Sequence, residues 1–276
     1  MRSVVQNEAR RRYHIELVDK LVQLLETLRD EPEGLRLQEL AARTGYVKSS
    51  IHRTLNSLKR HGYVEQAAPG GPYSLGVQCL LLARGLKEGI GLLRYARPFL
   101  QEIVDTFNES AYLAILRGGR GIFVEVTEAR RRDLRLVGPL GAHVFYHATA
   151  AGKVFASFLP PEARATLLGS IELRALTPRT LTRRADVERE WTLVARRGFA
   201  LNHEESIVGA VFLAAPVFDA ERAVCASVSV GVPKARYSPA GGRRLATHVK
   251  GACDRLSEVL QVAGYTHDDC RLVELR

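Results

Sequence analysis

The sequence predicts an α+β protein of two domains: a small N-terminal winged helix-turn-helix and a larger C-terminal domain with a mostly antiparallel sheet. Three observations predict it. The first 75 residues run helix, helix, turn, helix and β-hairpin, each delimited by its own periodicity and breakers. Within that run, residues 40–64 contain no Asp or Glu but hold Arg43, Lys48, Arg53, Lys59 and Arg60. After residue 90, strand-like runs give way to helices and then to strands again, the pattern of an α+β domain.

In the first domain, residues 15–75, Ile15, Val18, Leu21, Val22, Leu25 and Leu28 recur at spacings of three and four, which makes an amphipathic helix. Pro32 and Gly34 end it. A short helix follows with Leu37, Leu40 and Ala41 facing inward, and Gly45 breaks the pattern. The third helix runs over 47–61, with Val47, Ile51, Leu55 and Leu58 on its apolar face and Gly62 as a C-cap glycine. Two short extended pieces around Pro69-Gly70-Gly71-Pro72 then form a hairpin. Residues 1–14 are a polar arm carrying Arg10, Arg11 and Arg12, readable as a minor-groove arm or as a disordered tail.

Residues 76–90 read as a linker helix rich in leucine: Leu80, Leu81, Leu82 and Leu86. The second domain, 91–276, opens with a helix near 92–107. Strands are expected at 111–116, 122–128, 134–137, 199–202, 210–218 and 224–230. Helices are expected at 150–158, at 184–197 with Thr182 as N-cap, and at 240–262.

The length of 276 residues suits two domains, and 46% hydrophobic with 25% charged residues is a soluble globular balance. The formal charge of +10 favours polyanionic partners. The longest apolar stretch, 208–218, is about half of what a membrane-spanning helix needs, so no membrane partner is expected. Nothing apolar backs the N-terminal arginines as a secretory signal would. Cys79, Cys225, Cys253 and Cys270 form no C-x-x-C pair and read as reduced thiols of a cytoplasmic protein.

The third helix presents Lys48, Ser49, Ser50, His52 and Arg53 on its first turns, where a recognition helix meets base edges in the major groove. Arg can donate two hydrogen bonds to guanine, and Ser can serve a base or a phosphate. Arg43, Lys59 and Arg60 extend the positive face for phosphate contact. The bland alternatives are that Ser50 caps or packs the helix and that Lys48 is merely solvated.

The order of several segments closely resembles the IclR family of bacterial transcriptional regulators, from about residue 15 to residue 260. They are Leu37-Gln38-Glu39-Leu40-Ala41, Gly45 through Leu55, Gly62-Tyr63-Val64, Tyr73-Ser74-Leu75-Gly76, His147 through Lys153, Arg197-Gly198-Phe199-Ala200, Glu204-Glu205, and Gly209 through Phe218. The resemblance implies a GAF-like effector-binding domain and a partnership with double-stranded operator DNA. It also implies a homodimer or dimer of dimers, and effector binding that alters DNA affinity. It leaves repressor and activator open.

The segment His147-Ala148-Thr149-Ala150-Ala151-Gly152-Lys153 is not a phosphate loop, since Val154 follows the lysine and no glycine stands five residues before the Gly-Lys pair. It reads instead as a tight turn of small residues entering a helix. Free amides there favour a carboxylate, and a plain sheet-to-helix connection is the alternative. The resemblance assigns the grip on an acid effector to the amides of Ala150 and Ala151. It also marks departures from the family's small-oxoacid sensors. Phe212 stands where those have Cys, Val228 and Val230 where they have two serines, and Asn202 where Asp is frequent. The implied cavity is apolar with one neutral amide, and Phe212, Val228 and Val230 are equally readable as strand core.

An enzyme acting on a small carboxylate with a fused DNA-binding module is the rival class, but no G-x-S-x-G, H-E-x-x-H or Gly-rich cofactor turn appears, so no catalytic residue and no cofactor is assigned. His143, His147 and His203 are conceivable metal ligands, although such histidines are more often structural. A DNA-binding module that only recruits other proteins is the third reading.

Overall fold

The computed structural model describes residues 15–117, 119–130, 136, 138 and 140–266. The arm at 1–14, Cys270 and most of the strand expected at 134–137 lie outside the described residues. The chain divides into two compact units, Met1–Ile90 and Gly91–Arg276.

In the first unit, helices α1 (Glu16–Arg29), α2 (Leu37–Thr44) and α3 (Lys48–Arg60) precede the antiparallel hairpin of β1 (Val64–Gln66) and β2 (Tyr73–Leu75). The Glu39 carboxylate accepts the Arg36 amide at 2.6 Å and closes the start of α2, and Gly45 ends that helix in the left-handed region. The core joins Leu24 and Leu28 of α1, Leu40 of α2, Ile51, Leu55 and Leu58 of α3, and Val64 and Tyr73 of the hairpin. Each such buried side chain contributes roughly 1.5–3 kcal/mol.

Two apolar faces differ from the periodicity reading. On α1 the fold buries Leu24 and Leu28, while Ile15, Val18 and Val22 stay exposed. The helix carries two apolar stripes, and this unit uses one. Val47 is the N-cap of α3 and 72% exposed, because the helix starts only at Lys48. Helix α4 (Gln78–Gly89) follows the wing, and Val77 just before it and Leu80, Leu81, Leu82 and Leu86 along it are exposed.

The second unit is a five-stranded antiparallel sheet of order β4-β3-β7-β6-β5. Its strands are β3 (Ser110–Arg117), β4 (Arg120–Thr127), β5 (Ala200–His203), β6 (Ala210–Phe218) and β7 (Val224–Pro233). Helices α5 (Leu92–Phe107) and α9 (Pro239–Val262) cover one face. Helix α6 (Ala150–Ser157) covers the other, with α8 (Arg184–Arg197) packed behind it.

Helix α7 (Pro161–Ser170) has no counterpart in the sequence reading, because it buries only Leu167 and shows no apolar stripe. Thr182 is not the N-cap of α8. That position is Arg183, which makes no side-chain cap, and Asp186 in the first turn takes ion pairs from Arg183 and Arg189 instead.

Candidate functional site

Helix α3 separates its residues sharply. Ile51, Thr54, Leu55 and Leu58 are buried, and Lys48, Ser49, His52, Arg53, Asn56, Lys59 and Arg60 are exposed. Ser49, Arg53, Asn56 and Arg60 follow one another at helical spacing along the outer face. His52 lies 3.4 Å from the Asn56 amide.

Three of the sequence-selected polar groups are engaged within the unit. The Ser50 hydroxyl accepts from Lys20 Nζ at 2.9 Å. The Arg43 guanidinium is paired with Glu31 at 2.5 Å. Lys59 Nζ donates to Gln66 Oε1 at 2.9 Å and lies over the Tyr73 ring, so it leans against the wing. Gln66 is neutral and leaves the ammonium charge uncompensated, whereas Glu31 cancels that of Arg43.

In the second unit, the first turn of α6 opens onto a cavity of about 250 Å³. Thr149 caps this helix, its hydroxyl accepting the Gly152 amide at 3.1 Å. Gly152 is required here: a Cβ would fall 2.3 Å from the Phe145 carbonyl oxygen. The turn thereby packs against segment 145–149, which is also braced from behind. The indole N–H of Trp191, fully buried on α8, donates to the Tyr146 carbonyl at 3.0 Å.

Ala150 and Ala151 line the cavity with Thr149. As the first residues of a helix, their amides have no intrahelical acceptor.

Aromatic rings form much of the remaining wall: Tyr112 on β3, Phe123 on β4, Phe212 on β6, and Phe145. Tyr112 meets Phe123 and Phe212 edge to face at centroid distances of 6.3 and 6.2 Å. The Tyr112 hydroxyl donates to the Leu136 carbonyl at 2.5 Å, and burial pushes its pKa up to about 12. The Phe212 ring lies over Gly231, where a Cβ would come within 2.8 Å of it.

Sheet parity corrects part of the expected lining. Phe212 pairs with Gly231 and Ala214 with Ser229, which puts Ser229 on the cavity side of β7. Val228 pairs with Ala215 and Val230 with Leu213, on the opposite face. There Cys253 of α9 approaches the Ala215 carbonyl at 3.7 Å. Val228 and Val230 are core beneath α9, and the serine of the cavity wall is Ser229. Neither expected valine faces the cavity, because side chains alternate along the strand and Ser229 lies between the two. Ser227-x-Ser229 was the signal that could have found it.

Asn202 does line the cavity, together with Ser206 and Ile207. Its amide is already engaged, donating to Ser206 Oγ at 2.6 Å and accepting the Glu205 amide at 2.7 Å, so it shapes the loop after β5. His143 and Leu176, which the sequence reading did not assign to this wall, also line it.

His147 contacts the Arg174 carbonyl through Nε2, and His203 contacts Lys234. Among the described residues no group of three His, Cys, Asp or Glu side chains is placed to hold a metal ion. No helix there is long and apolar enough to cross a membrane.

The IclR helix-turn-helix family model matches residues 17–68, and the C-terminal model of the bacterial transcriptional regulator IclR matches residues 87–258. The chain belongs to the IclR family. As an IclR-type protein it is a helix-turn-helix DNA-binding transcriptional regulator with a C-terminal effector-binding domain.

The glycerol operon regulatory protein of Streptomyces griseus is 32% identical over 83% of this chain and 89% of its own length. The regulator XynR of Escherichia coli is 27% identical over 82% and 89%. Among solved structures, Pseudomonas aeruginosa HmgR is 26% identical with a TM-score of 0.67, covering 89% of this chain and 99% of that one. An IclR regulator from Alicyclobacillus acidocaldarius shares the fold at a TM-score of 0.78 and 23% identity, over 89% and 99%.

Proposed function

We propose that the cavity binds a small carboxylate with a ring-sized apolar body, and that its occupancy sets the affinity of the winged helix for operator DNA. The observation that carries this reading is the meeting of two features in one space. The first-turn amides of Ala150 and Ala151 stand at a cavity whose walls include the rings of Tyr112, Phe123 and Phe212. Helix N-terminal charge favours an anion by about 0.3–1 kcal/mol, more where partly buried. Aromatic walls favour a flat apolar body.

We read the cavity as a binding site and not a catalytic centre, because Asn202 and Ser206 engage each other and hold the wall. On the DNA side, we assign base contact to Ser49, His52 and Arg53, with Lys48, Lys59 and Arg60 on the phosphate backbone. The regulator acts as a homodimer or dimer of dimers in the cytoplasm, the exposed leucines of α4 pairing between subunits.

Calorimetry and thermal melting with benzoate, phenylacetate, pyruvate and glyoxylate test the ligand class. The expected result is binding of the aromatic acids and none of benzamide. Stabilisation by glyoxylate or pyruvate, with no response to the aromatic acids, overturns it.

A further inference from the structure

Lys153 is the only lysine or arginine buried among the described residues, at 1% exposed. It lies on α6 three residues beyond Ala150. Its Nζ donates to Glu205 Oε1 at 2.6 Å, to the Leu201 carbonyl at 3.0 Å and to Glu190 Oε1 at 3.5 Å. Three donors thus meet three acceptors, drawn from the loop after β5, from β5 itself and from α8. A buried ammonium so fully committed fixes its partners, since letting one go leaves charge unpaired away from water.

Glu205 is the partner that matters for the cavity. Its amide donates to Asn202 Oδ1 at 2.7 Å, and its carbonyl accepts from Thr180 Oγ1 at 2.6 Å. Its second carboxylate oxygen is buried with no hydrogen-bond partner, so the side chain is held through Oε1 and Lys153. The next two residues, Ser206 and Ile207, are cavity wall. Lys153 therefore connects the helix whose first-turn amides face the cavity to the loop that completes another stretch of its lining.

We propose that Lys153 is a positioning residue of the effector site: through Glu205 it holds the Ser206–Ile207 wall in register with the first turn of α6. The proposal rests on reading the cavity as the effector site, and it makes the loop and the helix move as one piece when an effector enters or leaves.

Hydrogen exchange on the full, ligand-free chain tests it. Lys153→Met alone leaves the Glu205 carboxylate without its cation, while Glu190 keeps Arg197 at 2.9 Å, so the informative variant is Lys153→Met with Glu205→Gln, which removes both charges of that pair at similar volume. Exchange of the amides within 203–209 should quicken by about tenfold or more, while β6, β7 and the winged helix keep parental protection. Benzoate affinity of the same variant should fall by a comparable factor. Unchanged exchange within 203–209 overturns the proposal. So does an even loss of protection across the second unit, which would make the pair a plain stability element. Exchange is read without ligand, so a parent that binds no aromatic acid sinks the ligand assignment and leaves this result readable.

Discussion

Tyr112 on β3 stands directly across from Ser229 on β7, and both side chains turn to the same cavity. One polar hydroxyl therefore sits in an aromatic wall, and the two valines that flank it face away. Ser229→Val should leave operator affinity of the ligand-free protein unchanged and weaken aromatic-acid binding by about 0.5–1.5 kcal/mol. Val228→Ser should do the reverse. It buries a hydroxyl beneath α9, costs about 1–3 kcal/mol of stability and leaves ligand affinity near parental. Paired melting and calorimetry on both variants check the assignment, and the opposite pattern would restore Val228 to the cavity.

The Tyr112 phenol makes stability depend on pH in one alkaline window. Its pKa lies at about 12 in the fold, against about 10 for an ordinary phenol. The folded chain thus retains a proton that the unfolded chain releases. The associated stability, roughly 2–3 kcal/mol, is fully present below pH 10 and is lost as pH rises through 12. Tyr112→Phe should reduce the fall of urea-measured stability between those limits without abolishing it, because burial also pushes the Cys253 thiol up to about 12, and should lose about 1 kcal/mol at neutral pH with the bond to the Leu136 carbonyl.

On the DNA side, charge compensation predicts unequal effects. Arg53→Ala should weaken specific binding by about 1–3 kcal/mol and relax preference at one base per half-site. Lys59→Ala should weaken all duplexes alike and lower the salt slope by about one unit. Arg43→Ala should barely change that slope, since Glu31 already neutralises the guanidinium. Fluorescence anisotropy at several salt concentrations separates the three. An unchanged Arg53→Ala on every duplex would remove α3 as the reading helix.

Leu82 and Leu86 lie one helical turn apart on α4, both exposed in the single chain. Replacing both by Glu should shift sedimentation at micromolar concentration toward monomer and weaken operator binding steeply, because one winged helix covers one half-site. A parent that sediments as a monomer in low and moderate salt would rule out this pairing.

Gly152→Ala probes the close approach of α6 to segment 145–149. The added methyl meets backbone, not a side-chain end that can swing away. We expect a loss of about 1–3 kcal/mol, together with weakened acid binding. A melting temperature equal to the parent's would show that the turn has slack.

Where the sequence was legible, physical periodicity made it so. Gly45, Gly62 and the hairpin turn punctuate the winged helix, and the continuous apolar run of β6 marks it as a strand. Helix α7 was hidden because only Leu167 of its residues is buried. In the cavity, Ala150 and Ala151 were found from small residues at a helix start, and Phe212 from its strand. Ser229 was missed by a single residue, which in a strand inverts the face. Lys153 passed as part of a failed phosphate motif, because nothing in the sequence shows that a lysine on an apolar helix meets Glu205, which lies 52 residues on, in space. Tyr112 and Phe123 share one hairpin, but Phe212 comes from β6, and only sheet order brings the three rings to one cavity.

The bond from Trp191 to the Tyr146 carbonyl makes the protein its own optical sensor. The chain has a single tryptophan, so all indole emission comes from one ring. That ring is shut away from water, and its N–H grips the backbone of the segment that leads into the cavity-facing turn. A ligand that displaces residues 145–151 should disturb this one contact, and a shift of the emission band on adding ligand is the measurement that checks it. Occupancy can then be followed by fluorescence in the native chain, with no dye attached and no residue replaced.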